Sequence, residues 1–356
     1  MRKFRQICYA AALFVVCFVL ATFTFVIRDN QRNTAKEYEI DKFVNRNKEN
    51  KNVIRKIEKV NKLIDPTTAA SKHITTSKFS KFLEIGSTVN SLNNTNFNVK
   101  PRLRLGKLRK RPLVTIGVPS VLRRRHDYLQ DTLRSLLKGL SDNLRKDVNI
   151  LVYVAEVNST FVEEQMAALL GNYFSEIQEG IVQVIGPPFK QPEDWESKLF
   201  LNFGDSLSRV RWRSRQNLDM FNLLSYAIAT DDPQYFLMME DDVLANEGYM
   251  QDILSYVESK PTKSWDYCSF SSVGGAGKIF HRESAREFLA MLKLFWYAKP
   301  LDWLLWDFVR VKVCGYSDTS DICDEKIEKR ARKYFAPLFK HTGVVSSRTN
   351  PMFDNR

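Results

Sequence analysis

The spacing of apolar and polar positions divides the chain into three textures. Ile7 to Ile27 (ICYAAALFVVCFVLATFTFVI) carries no charge at all. At about 1.5 Å per residue such a run reaches about 30 Å, the thickness of a bilayer's hydrocarbon core. Residues 28–111 are rich in Asn, Lys, Ser and Thr and are broken by Pro66 and Pro101. Within them Ile40, Phe43, Ile54, Ile57 and Ile64 fall near heptad positions, with Asn47, Asn50 and Asn61 interrupting the seam. That pattern fits either a short dimerising coiled coil or an unaided solvated helix. From Leu113 the texture changes again. Residues 113–118 (LVTIGV), 149–155 (NILVYVA), 181–185 (IVQVI) and 235–239 (YFLMM) are short apolar runs that read as buried strands. Residues 127–140, 161–173 and 216–229 carry helical spacing. Strands alternating with helices of this length predict βαβ units and an α/β domain with a mostly parallel sheet. The expected organisation is a cytosolic tail at 1–6, a span at 7–27, a stem at 28–111 and a folded domain at 112–356.

The first span reads as a retained signal-anchor. It ends in Phe23, Phe25, Val26 and Ile27 rather than in the small residues of a cleavage site. Arg2, Lys3 and Arg5 precede it and favour a cytosolic N-terminus, which Arg28 and Lys36 weaken without reversing. The prediction is a single-pass type II membrane protein with a lumenal body. Two sequons fit that setting, at Asn93 and Asn158. Cys8 and Cys17 lie in the span, leaving Cys268, Cys314 and Cys323 outside it. Cys314 and Cys323 flank a polar loop, so in an oxidising lumen a disulfide is expected, with two free thiols as the other reading. No CxxC or paired His accompanies them to suggest zinc.

Charge changes the picture little. The chain has 54 Lys+Arg against 41 Asp+Glu, a formal net charge of +13. Residues 1–27 hold +3 of it and residues 28–111 another +13, leaving residues 112–356 at −3. A net charge of this size suggests nucleic acid only when the folded domain carries it. Here the domain is near neutral, and a lumenal setting removes that partner. The dense cluster at 102–111 (RLRLGKLRKR) reads as a solvated linker or a contact to an acidic surface.

The chemistry-bearing feature is Glu240-Asp241-Asp242, directly after the fourth apolar run. Ligands of parallel α/β sheets bind outside the carboxyl ends of the strands. Three carboxylates there need cations, and oxygen ligands suit a hard divalent ion such as Mg²⁺ or Mn²⁺. Such an ion can bridge the two phosphates of a nucleotide sugar. The competing reading is a solvated acidic turn in which Asp242 caps a following helix.

Six ordered segments carry a family resemblance: FGDSLSRVRWRSRQNLD (203–219), YFLMMEDD (235–242), FSSVGGAGKIF (270–280), KPLDWLL (299–305), VKVCGYSDTSDIC (311–323) and PLFKHTGVVSS (337–347). Together they resemble the N-acetylglucosaminyltransferase IV family of N-glycan branching enzymes over about residues 111–347. The resemblance implies a GT-A glycosyltransferase domain with a Rossmann-like sheet, UDP-GlcNAc as donor, Mn²⁺ as cofactor and a Golgi or endoplasmic reticulum membrane. It further implies inverting transfer of β1,4-linked GlcNAc to the α1,3-mannose arm of N-glycan acceptors. Carried onto this chain, Glu240 and Asp242 become metal ligands and Asp241 a ribose or diphosphate ligand. His341 becomes a further metal or diphosphate ligand. Arg211, Arg213, Arg215, Asn217 and Asp219 match a donor-binding region ahead of a helix, and Asp302 and Trp303 match the acceptor side. Asp302 is the candidate catalytic carboxylate.

Two departures point the other way. Where the family carries a Glu before its Phe-Ser, this chain has Ser269, which has no useful basicity. The sequence also ends at Arg356, resembling the family's short D-type form. These departures imply a catalytically impaired member that binds and inhibits another Golgi GlcNAc transferase, such as N-acetylglucosaminyltransferase I. The alternative is an active transferase.

Overall fold

The computed structural model describes residues 101–344, save 102, 108, 122, 124–126, 157, 158, 188–194 and 273. The span at 7–27, the stem up to residue 100, Asn93, Asn158 and everything after 344 lie outside the described residues. Among the described residues no helix is long and apolar enough to cross a membrane.

Four apolar runs become the parallel centre of an eight-stranded sheet. They are β2 (Val114–Ser120), β3 (Val148–Val154), β4 (Val182–Ile185) and β5 (Tyr235–Met238). All lie buried on both faces along most of their length, which is why they read as continuous apolar runs rather than alternating ones. β1 (Arg104–Leu105) closes one edge antiparallel to β4. Beyond β5 the sheet turns mixed, with β8 (Lys278–His281), β7 (Tyr267–Ser269) and β9 (Ala331–Lys333). The strand order is β1-β4-β3-β2-β5-β8-β7-β9. The expected mostly parallel α/β sheet is the one observed.

Helices cover both faces. On one, α1 (Tyr128–Lys138), α2 (Ser159–Asn172), α3 (Phe174–Glu179) and α5 (Tyr249–Glu258) pack on Ile116, Ile150, Val152 and Leu237. On the other, α4 (Leu207–Tyr226), α6 (Arg282–Phe295), α7 (Leu301–Val313) and α8 (Ser320–Arg330) pack on Leu151, Tyr153, Phe236 and Phe280. Cys314 and Cys323 are joined as a disulfide with Cα atoms 5.2 Å apart, tying the end of α7 to α8. Cys268 is a free, buried thiol, pushed up to about 12 by its burial.

Two expectations need correction. The folded domain begins before residue 112: β1 is already part of the sheet. Arg109 is no solvated linker residue. Its guanidinium donates to the carbonyls of Arg145 (2.6 Å), Lys146 (3.0 Å), Val148 (3.1 Å) and Glu179 (3.1 Å). The charges of RLRLG masked an apolar pair, Leu103 and Leu105, that packs on the core. The third helix also begins earlier than residue 216. It starts at Leu207, capped by Ser206 Oγ accepting from Arg209 N, so Arg211, Arg213 and Arg215 sit inside the helix rather than ahead of it. Arginines at 209, 211, 213 and 215 mimic alternation, but Arg213 and Arg215 are buried beside Asp205 and Asp219.

The α4 helix ends in a π turn over 227–231, which drives Asp231 under the sheet. There Asp231 accepts from Asn149 Nδ2 (2.6 Å) and Thr115 Oγ1 (3.2 Å). Burial pushes its carboxyl up to about 7.

Candidate metal and donor site

The acidic triplet lies at the carboxyl end of β5, but no helix follows it for Asp242 to cap. A short strand, β6 (Val243–Ala245), comes instead and pairs antiparallel with β10 (Phe339–His341). That ribbon returns a segment of chain a hundred residues distant onto the triplet. Thr342 donates its N–H (2.8 Å) and its hydroxyl (3.1 Å) to the Asp242 carbonyl, fixing His341 beside the Asp242 side chain. His341 Nε2 is 3.3 Å from Asp242 Oδ2.

Glu240, Asp242 and His341 each offer a ligating atom, and these atoms lie within 4.8 Å of one another. The three residues expected as metal ligands therefore converge. They fit a divalent cation for two further reasons. Asp242 Oδ1 is buried with no hydrogen-bond partner among the described residues, an orphaned acceptor that a cation would satisfy. Two carboxylates and an imidazole also suit Mn²⁺ over the all-oxygen preference of Ca²⁺. The three line a cavity of about 410 Å³ with Arg123, Arg209, Trp212, Gln216, Asp302 and Trp303. Glu240 accepts from Gly275 N (3.1 Å), and burial next to Asp242 pushes its carboxyl up to about 7.

Asp241 points a different way. It accepts from Ser120 Oγ (2.8 Å), Val121 N (3.3 Å) and Arg123 Nη1 (2.7 Å), all after β2. Burial raises its pKa, and Arg123 opposes the rise. Arg123 also reaches Asp242 Oδ2 (3.2 Å) and lies over the Tyr128 ring. One buried guanidinium thus balances two of the three acids. The sequence reading passed over Arg123, whose only signal was its place in RRR just after the first strand. It passed over Lys278 too. Burial draws that ammonium down to about 8, while Glu240 and Asp302 favour its charge.

The other donor candidates are spent on packing. Because α4 has a helical period, the face that lines the cavity is Arg209, Trp212 and Gln216, spaced by three and four. Arg211 pairs with Glu196 (3.2 Å), and Arg215 with Asp219 (3.7 Å) inside the protein. Asn217 is buried and donates to the carbonyls of Trp296 (2.7 Å) and Lys299 (2.8 Å), holding the α6–α7 connection. Ser269 lies on β7 and donates to the Ser271 carbonyl (2.9 Å); it is not among the cavity-lining residues, whereas Asp302 is.

The turn ahead of α4 reaches the cavity wall through one contact, the Phe203 ring against Trp303 (5.0 Å between centroids). Phe203 (φ 57°) and Gly204 (φ 71°) occupy the left-handed region, and Asp205 N closes the turn on Asn202 O (3.0 Å). For a phenylalanine this costs about 1–2 kcal/mol. A larger cleft, of about 930 Å³, lies by the disulfide among α6, α7 and α8, where Lys299 and Asp307 pair with each other (2.6 Å). It gathers no comparable set of ligating groups.

An α/β domain with helices on both faces, carrying a two-carboxylate, one-imidazole site at the carboxyl edge of its sheet, is the class that fold and site define. The MGAT4 conserved region matches residues 75–355, and the chain belongs to that family. Alpha-1,3-mannosyl-glycoprotein 4-beta-N-acetylglucosaminyltransferase A of Xenopus tropicalis is 32% identical over 288 residues, 81% of this chain and 53% of the relative. The human B enzyme of the same name is 34% identical over 251 residues, 70% of this chain and 45% of the relative. The chain thus spans about half the length of the relatives it matches. Among solved structures, Staphylococcus aureus TarS 1–349 covers 64% of this chain and 60% of its own, at 13% identity and a TM-score of 0.35, too distant to bear on function.

Proposed function

We propose that this protein is an inverting, cation-dependent glycosyltransferase of GT-A type. It moves N-acetylglucosamine from UDP-GlcNAc to the α1,3-mannose arm of an N-glycan. Supporting this are the family membership and the names of the relatives. The observation that carries it is the convergence of Glu240, Asp242 and His341 on one cavity that also holds Asp302. Glu240, Asp242 and His341 would hold Mn²⁺, which when bound supplies positive charge for the departing diphosphate. Asp302, in the first turn of α7, accepts the proton of the acceptor hydroxyl as that oxygen bonds to the anomeric carbon. Attack on the face opposite the leaving UDP inverts the anomeric configuration. Arg209 and Gln216 face the same cavity and can donate to phosphate or sugar oxygens. A carboxylate at 302 leaves the reaction a base despite Ser269.

The apolar run at 7–27, with Arg2, Lys3 and Arg5 ahead of it, supports a membrane anchor with a lumenal body, and the family resemblance favours the Golgi as that membrane. A second reading, favoured by Ser269, is a regulator that binds another GlcNAc transferase without turnover. The test is turnover of UDP-GlcNAc on a biantennary N-glycan by the full chain with Mn²⁺. Product that disappears in Asp242→Ala or on chelation supports transfer. Absence of product, with retention of a second transferase on the immobilised protein, supports the regulator.

A further inference from the structure

The turn Asn202-Phe203-Gly204-Asp205 is held from several sides. Asn202 Nδ2 donates to the Ala298 carbonyl (2.9 Å), and Asn202 Oδ1 accepts from Arg213. Asp205 pairs with Arg209 (2.7 Å) and Arg213 (3.5 Å). All this buttressing presents a phenylalanine ring to solvent: Phe203 is 53% exposed. Turns with positive φ at both central positions are best made by Asn-Gly, so the backbone alone does not call for an aromatic at 203. Strain kept by over-determined surroundings clusters at ligand sites. The ring is also aimed. It meets Trp303 edge to face at 5.0 Å, and the buried Arg213 guanidinium lies 5.5 Å from its centroid. Trp303, 46% exposed, lines the carboxylate cavity next in sequence to Asp302.

We propose that Phe203 and Trp303, set edge to face, form a two-walled aromatic platform that packs against a pyranose of the acceptor glycan, and that Phe203 sets the enzyme's grip on that acceptor. The inference rests on the transferase reading. A pyranose has a C–H face that packs on aromatic rings and a rim of hydroxyls that needs polar neighbours. Around the platform those neighbours are Arg209, Gln216 and Asp302. Exposed aromatic area bordering a polar cavity fits this two-sided ligand better than a purely apolar one. The acceptor is favoured over the donor because Trp303 adjoins Asp302, the carboxylate assigned to the acceptor hydroxyl. The diphosphate belongs with Glu240, Asp242 and His341.

The test uses the full chain and two probes, a free biantennary N-glycan and UDP with Mn²⁺, by calorimetry, with the thermal midpoint as a check of folding. Phe203→Asn removes the ring and suits the left-handed backbone, so its midpoint should equal or exceed that of the wild type. Glycan affinity should fall about tenfold while UDP affinity holds. Phe203→Leu, apolar but not flat, should also lose glycan affinity, and Phe203→Tyr should keep it. Unchanged glycan affinity in either Asn or Leu variant overturns the platform alone, as does equal loss of UDP and glycan binding. A wild-type protein that binds neither UDP nor glycan overturns the platform and the transferase reading together.

Discussion

Gly343 passes directly over the Asp242 carboxylate. A methyl group at 343 would fall on Asp242 Oδ2 and come within 3.0 Å of His341 Nε2. The glycine is there for close approach, allowing the segment after β10 to close on the acid. Gly343→Ala must push either the loop or Asp242 aside, spreading the three ligating atoms. The expected outcome is a loss of Mn²⁺ affinity of about tenfold or more, worth about 1.4 kcal/mol. The thermal midpoint without metal should change little, because Gly343 and the Asp242 carboxylate belong to neither hydrophobic core. Manganese titration by electron paramagnetic resonance checks it; wild-type affinity in the variant would contradict the geometry.

Arg123 offers a second prediction. It is the cation that balances Asp241 and Asp242. Removing one partner of a buried pair costs about 3–5 kcal/mol when the other stays charged and dry. Here Ser120 and Val121 still serve Asp241, so Arg123→Ala should cost about 2–3 kcal/mol by denaturant unfolding without metal. A bound cation replaces part of the missing charge. Mn²⁺ should therefore raise the midpoint of the variant by more than that of the wild type. Equal shifts would mean that Arg123 and the cation do not share the same acids.

Asp231 gives a pH signature unrelated to the site. Its ordinary value is 3.8, and burial lifts it to about 7 in the folded protein. The folded state therefore holds an extra proton across that window. The group's contribution is fully present below about pH 4 and is lost as pH rises to about 7. Asp231→Asn keeps the shape without the titration. Relative to the variant, the wild type should lose stability by about 1.4 kcal/mol per pH unit at most between pH 4 and 7. Parallel stability–pH curves would show that Asp231 does not titrate there.

How much of this was legible beforehand follows burial. Residues 114–118, 148–154, 182–185 and 235–238 were readable because doubly covered strands must be continuously apolar. β1, β7 and β9 were not, since strands of two or three residues carry no period, and in β1 the charges hide Leu105. The first half of α4 was lost because its arginines at every second position suggest exposed alternation. Only tertiary partners, Asp205 and Asp219, make Arg213 and Arg215 tolerable inside. At the site, Glu240, Asp242 and His341 were legible as residue types, and the β6–β10 pairing shows how they meet. Asp241 belonged with Arg123, a pairing that needs the loop after β2 and has no sequence spacing of its own. Arg211, Arg215 and Asn217 share a segment with the cavity but not a helix face, and Asp219, on that face three residues past Gln216, pairs with the buried Arg215 instead.

The most direct measurement concerns Asp302. Full-length wild type and Asp302→Asn are incubated with UDP-GlcNAc, Mn²⁺ and a biantennary N-glycan, and the glycan is followed by mass spectrometry and proton NMR. The account predicts one added N-acetylhexosamine with a β-anomeric signal from the wild type. In the variant the rate should fall by about 10²-fold or more, as for loss of a general base, with UDP binding intact. A wild-type rate in Asp302→Asn, an α-linked product, or no product at all would contradict it.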